Sequence, residues 1–168
     1  IINAAYKNKV KKLFNLGSAC IYPKHCKQPI KENYLLTGEL EKTNEAYAIA
    51  KIASLKTCEY YNKQLGTKYY SLQPTNLYGE NDNFDLNSSH VIPALINKFY
   101  HAKINNEKSV EIWGSGKATR EFMHVDDLAE AIYFLSQKKM SNNVLNIGTG
   151  EEISIRNLAN KICKISNF

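Results

Sequence analysis

The pattern of apolar and polar positions along the chain predicts short strands that alternate with helices. An apolar run at 10–16 that ends at Gly17-Ser18 predicts a buried strand leading into a loop. Helix-forming residues at 44–64, followed by Gly66, predict a long helix with Thr43 or Asn44 as its N-cap. The same reasoning predicts the end of a helix at 1–9, strands at 68–72, 110–113 and 144–147, and helices at 91–102, 126–136 and 154–165. This alternation indicates an α/β fold.

The segments between these elements have the composition of loops. Residues 21–43 contain two prolines and a glycine, and residues 75–88 are polar and rich in Asn and Asp, so both are predicted to be irregular.

Two helix starts are also predicted from the sequence. Asp127 and Glu130 have the spacing of a capping box for the helix at 126–136. Ser154 is the expected cap of the last helix.

Composition narrows the classes of protein that this chain can belong to. With 168 residues, 43% of them hydrophobic and 23% charged, it has the make-up of a globular domain. No apolar run reaches the length of a membrane span, so no membrane association is expected. The net charge of +6 comes from scattered lysines without a nucleic-acid-binding motif, so no nucleic-acid partner is expected either.

The cysteines carry no sign of a metal centre or of a disulfide framework. The four of them form no C-x-x-C pair and have no zinc-type spacing with histidine. The chain also begins without a signal segment. Free thiols in a cytoplasmic protein are therefore expected, with no bound metal.

Tyr47 and Lys51 form the first candidate for chemistry. Residues four apart lie on one face of a helix, and a Lys ammonium there stabilises the phenolate form of the Tyr. Such a Tyr can donate or accept a proton near neutral pH. An ordinary helix face gives the same spacing by chance, but Ser18, at the end of the preceding strand, adds a hydroxyl that could bind the same substrate oxygen.

These features together resemble a known enzyme family. A strand-end Ser, a helix with Y-x-x-x-K and a strand running into residues 74–79 (PTNLYG) are similar to the extended short-chain dehydrogenases/reductases. Within that family, five segments resemble the GDP-L-fucose synthases: 17–23 (GSACIYP), 74–79, 81–85 (NDNFD), 88–95 (SSHVIPAL) and 120–127 (REFMHVDD).

The resemblance implies a partial Rossmann-like parallel sheet flanked by helices, with an incomplete smaller substrate-binding lobe. Residues 1–80 would be the C-terminal part of the NADP-binding domain, and residues 81–168 mostly the substrate-binding lobe, with short returns to the first domain. The glycine-rich dinucleotide loop that such a fold places after its first strand is absent from the 168 residues. The chain is therefore expected to be a fragment that lacks the family's N-terminal segment and its C-terminal end.

The resemblance also implies an activity. Enzymes of this group epimerise GDP-4-keto-6-deoxy-D-mannose at C3 and C5 and reduce it at C4 with NADPH, which gives GDP-L-fucose. By resemblance, Cys20 and His90 are the acid/base pair of the epimerisation. Tyr47 then donates the proton of the reduction, Ser18 hydrogen-bonds the keto oxygen, and Lys51 holds the nicotinamide ribose.

Further residues are implied as ligand contacts. The expected NADPH contacts are Ser18, Tyr47, Lys51, Pro74, Asn76, Leu77 and His90. The expected substrate contacts are Asn76, Lys98, Trp113 and Arg120, with Arg120 on the diphosphate and Trp113 equally suited to the core of a strand.

The resemblance also implies a homodimer that pairs through the Tyr47 helix and the helix before it. Two alternatives stay open at this point. The chain could be a non-catalytic remnant that binds a nucleotide sugar or a partner subunit, or another NAD(P)-dependent nucleotide-sugar epimerase or dehydratase.

Overall fold

A computed structural model describes all 168 residues, and the chain contains five α-helices and six strands. The helices are α1 (Ile2–Lys7), α2 (Glu45–Leu65), α3 (Val91–Ile104), α4 (Val125–Ser136) and α5 (Ile155–Ser166). The strands are β1 (Leu13–Leu16), β2 (Tyr69–Pro74), β3 (Asn76–Tyr78), β4 (Thr119–His124), β5 (Val144–Ile147) and β6 (Glu152–Ser154). They form two compact units: the first unit is 1–75 with 127–148, and the second unit is 76–126 with 149–168.

The first unit is built on a three-stranded parallel sheet in the order β1-β2-β5. Every residue of the central strand β2 is buried, as expected for a parallel strand with neighbours on both edges. Helix α2 packs against this sheet and buries Leu55 completely, in a cluster with Ile21, Tyr22 and Ile52. The α/β class predicted from the sequence is confirmed.

The second unit has its own small sheet and its own core. Strand β3 pairs with β4 in parallel, and β4 pairs with β6 in antiparallel orientation. Helices α3 and α5 bury their apolar faces in one cluster that includes Leu95, Phe99 and Leu158. The ring of Phe168 meets that of Phe99 edge to face at 5.5 Å, so the last residue of the chain joins this core.

Most of the predicted helix ends are confirmed. Gly66 ends α2 in the left-handed conformation with φ 65°, which glycine adopts at little cost. The Ser154 hydroxyl caps α5 by accepting a hydrogen bond from the Asn157 N–H at 3.1 Å. Asn44 occupies the N-cap position of α2, but its side chain makes no capping bond.

The prediction for the start of α4 is wrong. The helix begins at Val125, directly after β4, so Asp127 and Glu130 lie inside it rather than at a cap. The His124 imidazole Nδ1 accepts the Asp126 N–H at 3.3 Å instead. The residue that caps this helix is thus a histidine, whereas Ser, Thr, Asp and Asn are the usual residues at this position.

Two strand predictions are also wrong. Residues 110–113 form no strand; Val110 and Ile112 pack against the α3–α5 cluster as single apolar side chains. The strand of this region is β4, whose largely polar sequence does not show the alternation expected of a half-buried strand. The segment 75–88, predicted as a loop, contains the short strand β3. None of the helices is both long and apolar enough to cross a lipid bilayer.

Candidate active site

The turn after β1 brings Ser18 to the carboxyl end of the parallel sheet. The Gly17 N–H donates to the Leu72 carbonyl at 2.8 Å, and the Ser18 N–H donates to Gln73 Oε1 at 2.9 Å. A Cβ atom at Gly17 would collide with the Gln73 carboxamide, so any side chain at this position would displace that carboxamide. In open α/β sheets, ligands bind at this end of the strands.

The Ser18 hydroxyl remains available as a donor. Its Oγ accepts the Cys20 N–H at 3.2 Å and so caps the short helical turn Ala19–Ile21. Because Oγ is used as an acceptor there, the hydroxyl proton can be donated to a ligand oxygen. The thiol-bearing residue Cys20 is exposed on the same turn.

Helix α2 presents Tyr47 and Lys51 on one face, as predicted. The Lys51 Nζ lies 5.6 Å from the centre of the Tyr47 ring and donates to the Leu16 carbonyl at 2.8 Å. That bond ties the helix face to the end of β1, next to the Gly17-Ser18 turn. Tyr47 is 49% exposed, and its hydroxyl has no hydrogen-bond partner within the chain.

This donor set fits the nicotinamide end of NADP. An ammonium has three donors, and Lys51 uses one of them on Leu16. The remaining two suit ribose hydroxyls, and the free hydroxyls of Tyr47 and Ser18 suit a carbonyl oxygen. The first unit therefore holds Ser18, Cys20, Tyr47 and Lys51 around the carboxyl end of β1.

Asn146 on β5 holds the irregular segment that follows Cys20. Its Oδ1 accepts the Tyr22 hydroxyl at 2.5 Å, its Nδ2 donates to the Ile30 carbonyl at 3.0 Å, and its N–H donates to Glu32 Oε1 at 2.9 Å. Burial, aided by the nearby Glu32 carboxylate, raises the pKa of the Tyr22 phenol to about 12. Tyr22 thus stays protonated at neutral pH and keeps donating to Asn146.

The second unit contains a cavity of about 280 Å³ that is lined by four of the predicted site residues. Asn76 and Leu77 reach it from β3, His90 from the position before α3, and Arg120 from β4. The rest of its wall is apolar and consists of Val91, Ile92, Pro93, Phe122 and Ile155. A concave, largely apolar surface with a few polar groups is typical of a small-molecule site.

Two polar side chains of this cavity keep unused donors. The Arg120 Nη1 donates to the Thr119 carbonyl at 2.7 Å, and the guanidinium forms no ion pair. Asn76 Nδ2 donates to the Glu121 carbonyl at 2.9 Å. The remaining guanidinium N–H groups have the planar geometry that binds phosphate oxygens in pairs.

Lys98 and Trp113 pair with each other and not with this cavity. The Lys98 Nζ lies 4.5 Å above the Trp113 ring and donates to the Glu111 carbonyl at 3.0 Å. Trp113 is 72% exposed, so its alternative placement in the core of a strand is wrong. A substrate contact for either residue remains a prediction, as does a cofactor contact for Pro74, which is buried at the end of β2.

Gln73 and Asn146 support the candidate site and were missed by the sequence reasoning. Both are polar residues within short, mostly apolar strands, Y-Y-S-L-Q-P and V-L-N-I. A buried polar side chain needs a hydrogen-bond partner, so its presence in a strand indicates a specific contact. The strand sequence does not show which group such a side chain binds.

Comparisons with known proteins show which proteins this chain resembles. The profile of the NAD dependent epimerase/dehydratase family matches residues 1–148. The chain is 51% identical over all 168 residues to a GDP-L-fucose synthase of Sinorhizobium fredii, and it covers 54% of that protein. It is 52% identical over all 168 residues to GDP-L-fucose synthase 1 of Arabidopsis thaliana, and it covers 52% of that protein.

Solved structures of other proteins superpose on this chain. A crystal structure of a GDP-L-fucose synthetase from Naegleria fowleri superposes with a TM-score of 0.94 at 31% identity, over the whole chain and 53% of that structure. A second structure of this enzyme, bound to NADP, gives a TM-score of 0.90. The chain spans about half the length of the curated relatives it matches. With a family profile that covers most of its length, the chain belongs to the NAD dependent epimerase/dehydratase family.

Proposed function

We propose that this chain carries the catalytic residues of a GDP-L-fucose synthase. The observation that supports this most strongly is the identity of 51% and 52% to two GDP-L-fucose synthases over all 168 residues. The reaction proposed is epimerisation of GDP-4-keto-6-deoxy-D-mannose at C3 and C5, followed by NADPH-dependent reduction at C4. In this proposal the first unit supplies Ser18, Tyr47 and Lys51, and the second unit contributes contacts to both NADPH and the nucleotide sugar.

In the reduction, NADPH supplies the hydride that adds to C4. Tyr47 donates its phenolic proton to the C4 oxygen, which becomes the new hydroxyl. Ser18 donates a hydrogen bond to the same oxygen, and its free hydroxyl proton supports this role. The Lys51 ammonium, held by the Leu16 carbonyl, favours the tyrosinate that Tyr47 leaves behind and binds the nicotinamide ribose.

In the epimerisation, a carbon next to the ketone loses its proton and regains one on the opposite face. The charge left by the first step moves onto the keto oxygen as an enolate, which the hydrogen bond from Ser18 stabilises. We assign the two proton transfers to Cys20 and His90. The exposed position of Cys20 and the place of His90 in the cavity wall support this assignment.

The remaining predicted residues take part in binding. We assign the diphosphate to Arg120, because its guanidinium has free donors at the cavity wall. Asn76, Lys98 and Trp113 are proposed to contact the nucleotide sugar. Pro74, Asn76, Leu77 and His90 are proposed to lie against the nicotinamide end of NADPH.

A Tyr47→Phe variant of the full-length natural polypeptide tests this division of roles. The wild type is expected to form GDP-L-fucose while it oxidises NADPH. Tyr47→Phe should abolish NADPH oxidation and still incorporate solvent deuterium into the keto sugar, measured by mass spectrometry. Tyr133→Phe, at an exposed tyrosine of α4, is the matched control and should behave as the wild type.

Two other outcomes would contradict different parts of the proposal. If a folded Tyr47→Phe variant also loses deuterium exchange, Tyr47 takes part in both steps and the assignment is wrong. If the wild type neither exchanges nor reduces this substrate, the proposed function fails. A non-catalytic remnant or an enzyme for another nucleotide sugar would then be favoured.

We further propose a homodimer that pairs through α2. Ile49, Ala53 and Tyr60 form an exposed, mostly apolar stripe along this helix, which supports an interface there. Ile49→Lys should convert the dimer to a monomer in sedimentation velocity, whereas Glu130→Lys on α4 should not. A wild type that sediments as a monomer would contradict the proposal.

The cytoplasm is the compartment that fits this function. All four cysteines are free thiols. Cys20 must stay reduced to transfer protons, and a reducing compartment maintains an exposed thiol in that state.

A further inference from the structure

Gln73 is an unusual residue for its position. It lies in the central strand β2 with only 1% of its surface exposed, and Ser71 is the only other buried polar residue of the chain. Placing a carboxamide in such a strand costs free energy unless its polar atoms are hydrogen-bonded. The contacts of Gln73 should therefore explain why it is there.

One end of the Gln73 side chain holds the backbone of Ser18. Its Oε1 accepts the Ser18 N–H at 2.9 Å, and the carboxamide fills the space above Gly17 that a side chain would otherwise occupy. Since the Ser18 N–H is a donor, the oxygen must face it, which settles the orientation of the carboxamide. Ser18 is thus fixed twice, through its N–H by Gln73 and through its Oγ by the Cys20 N–H.

The amide nitrogen of the same side chain makes no hydrogen bond. Gln73 Nε2 is buried and has no hydrogen-bond partner. A buried donor without a partner is unfavourable, and an apolar side chain of the same length would avoid that cost. The unpartnered donor offsets much of the stability that the bond to the Ser18 N–H contributes, so the glutamine is better explained by the placement of Ser18.

We propose that Gln73 is a positioning residue, which holds the Ser18 backbone so that the Ser18 hydroxyl points at the substrate's keto oxygen. The inference rests on the proposed function, in which Ser18 binds that oxygen. Gln73 acts through Ser18 and does not touch the substrate itself. Removing its acceptor should slow the chemistry without weakening substrate binding or the fold.

Gln73→Met is the test, because it keeps the length of the side chain and removes both polar atoms. In the full-length natural polypeptide it should lower kcat by about tenfold or more, since small errors in the placement of a catalytic group are costly. The KM for the keto sugar should stay within about twofold, because Gln73 makes no binding contact. The thermal midpoint should change little, because removing the unpartnered Nε2 donor offsets the hydrogen bond that the Ser18 N–H loses.

A double-mutant cycle with Ser18→Ala shows whether Gln73 acts through Ser18. Without the hydroxyl there is nothing to position, so Gln73→Met should lower kcat by less than about twofold in that background. Gln137→Met makes the same change at an exposed glutamine and should leave kcat unchanged. Losses in kcat that multiply in the double mutant would overturn the proposal, because Gln73 would then act independently of Ser18. An unchanged kcat in Gln73→Met would overturn it as well, and so would a large fall in the thermal midpoint, which would indicate a structural role.

A readout that does not need activity separates this inference from the proposed function. Hydrogen–deuterium exchange in peptides covering 17–22 should speed up in Gln73→Met. It should stay slow in Gln73→Glu, which keeps an oxygen for the Ser18 N–H. If the wild type proves inactive on this substrate, the proposed function fails, whereas unchanged exchange in Gln73→Met would refute the positioning role itself.

Discussion

Replacing Lys51 by Met should affect stability and catalysis to very different extents. The substitution removes the hydrogen bond from Lys51 Nζ to the Leu16 carbonyl, at 2.8 Å. A hydrogen bond to a charged group is worth about 1.5–3 kcal/mol when it is protected from water. This one is exposed, so we expect a loss of about 1 kcal/mol in the free energy of unfolding. The thermal midpoint should then fall by about 2–4 °C.

The effect on catalysis should be much larger. In the proposed reaction the Lys51 ammonium favours the charged form of Tyr47 and binds the nicotinamide ribose, so the variant would lose both contributions. General acid–base catalysis of this kind contributes about 10²–10⁴-fold, so kcat/KM for NADPH oxidation should fall within that range. Methionine keeps the unbranched stem of lysine, which limits the change to the charge and its donors.

Lys56→Met provides a matched control on the same helix. Lys56 forms a surface ion pair with Glu59 at 2.8 Å, and such pairs are worth about 0–1 kcal/mol. Thermal unfolding and NADPH absorbance would be followed for both variants. If Lys51→Met reduces kcat/KM no more than Lys56→Met does, the role given to Lys51 is refuted.

Two further predictions follow from groups with specific partners. Arg120→Lys keeps the charge but loses the planar donor pair, so the KM for the nucleotide sugar should rise by about tenfold with kcat nearly unchanged; Arg156→Lys serves as control, and an unchanged KM would contradict diphosphate binding. Burial raises the pKa of Tyr22 to about 12. The stability linked to this phenol is therefore complete below pH 10, its ordinary value, and is lost as the pH rises from 10 to about 12. Urea unfolding across this interval should show a shallower loss for Tyr22→Phe than for the wild type, and equal slopes would refute the linkage.

The sequence correctly predicted those elements that depend on residues close to one another along the chain. Helix α2 has helix-forming residues over its length and a glycine at its end, and it appears where it was expected. The cap at Ser154 is of the same kind, because its acceptor and donor are three residues apart. Tyr47 and Lys51 share a face because four residues make about one helical turn.

Strand β4 was missed because its cause is not local. Its sequence, T-R-E-F-M-H, has no clear alternation, and it is a strand because β3 and β6 pair with it on either edge. The segment 110–113 shows the reverse case. Its residues favour a strand, but no strand pairs with them, and two of its side chains pack against α3 and α5 instead.

The sequence by itself determined the α/β class, most of the helices and strands, and the identity of the residues proposed for chemistry. Periodicity and caps carry the information on helices and strands, because each depends on neighbours along the chain, and the resemblance to a known family identifies the residues proposed for chemistry. Only the tertiary structure decided what holds those residues in place. Gln73 meets Ser18 across 55 positions, and Tyr22 meets Asn146 across 124. Such pairs form because the parallel strands bring their carboxyl ends to one edge of the sheet, which no local pattern records.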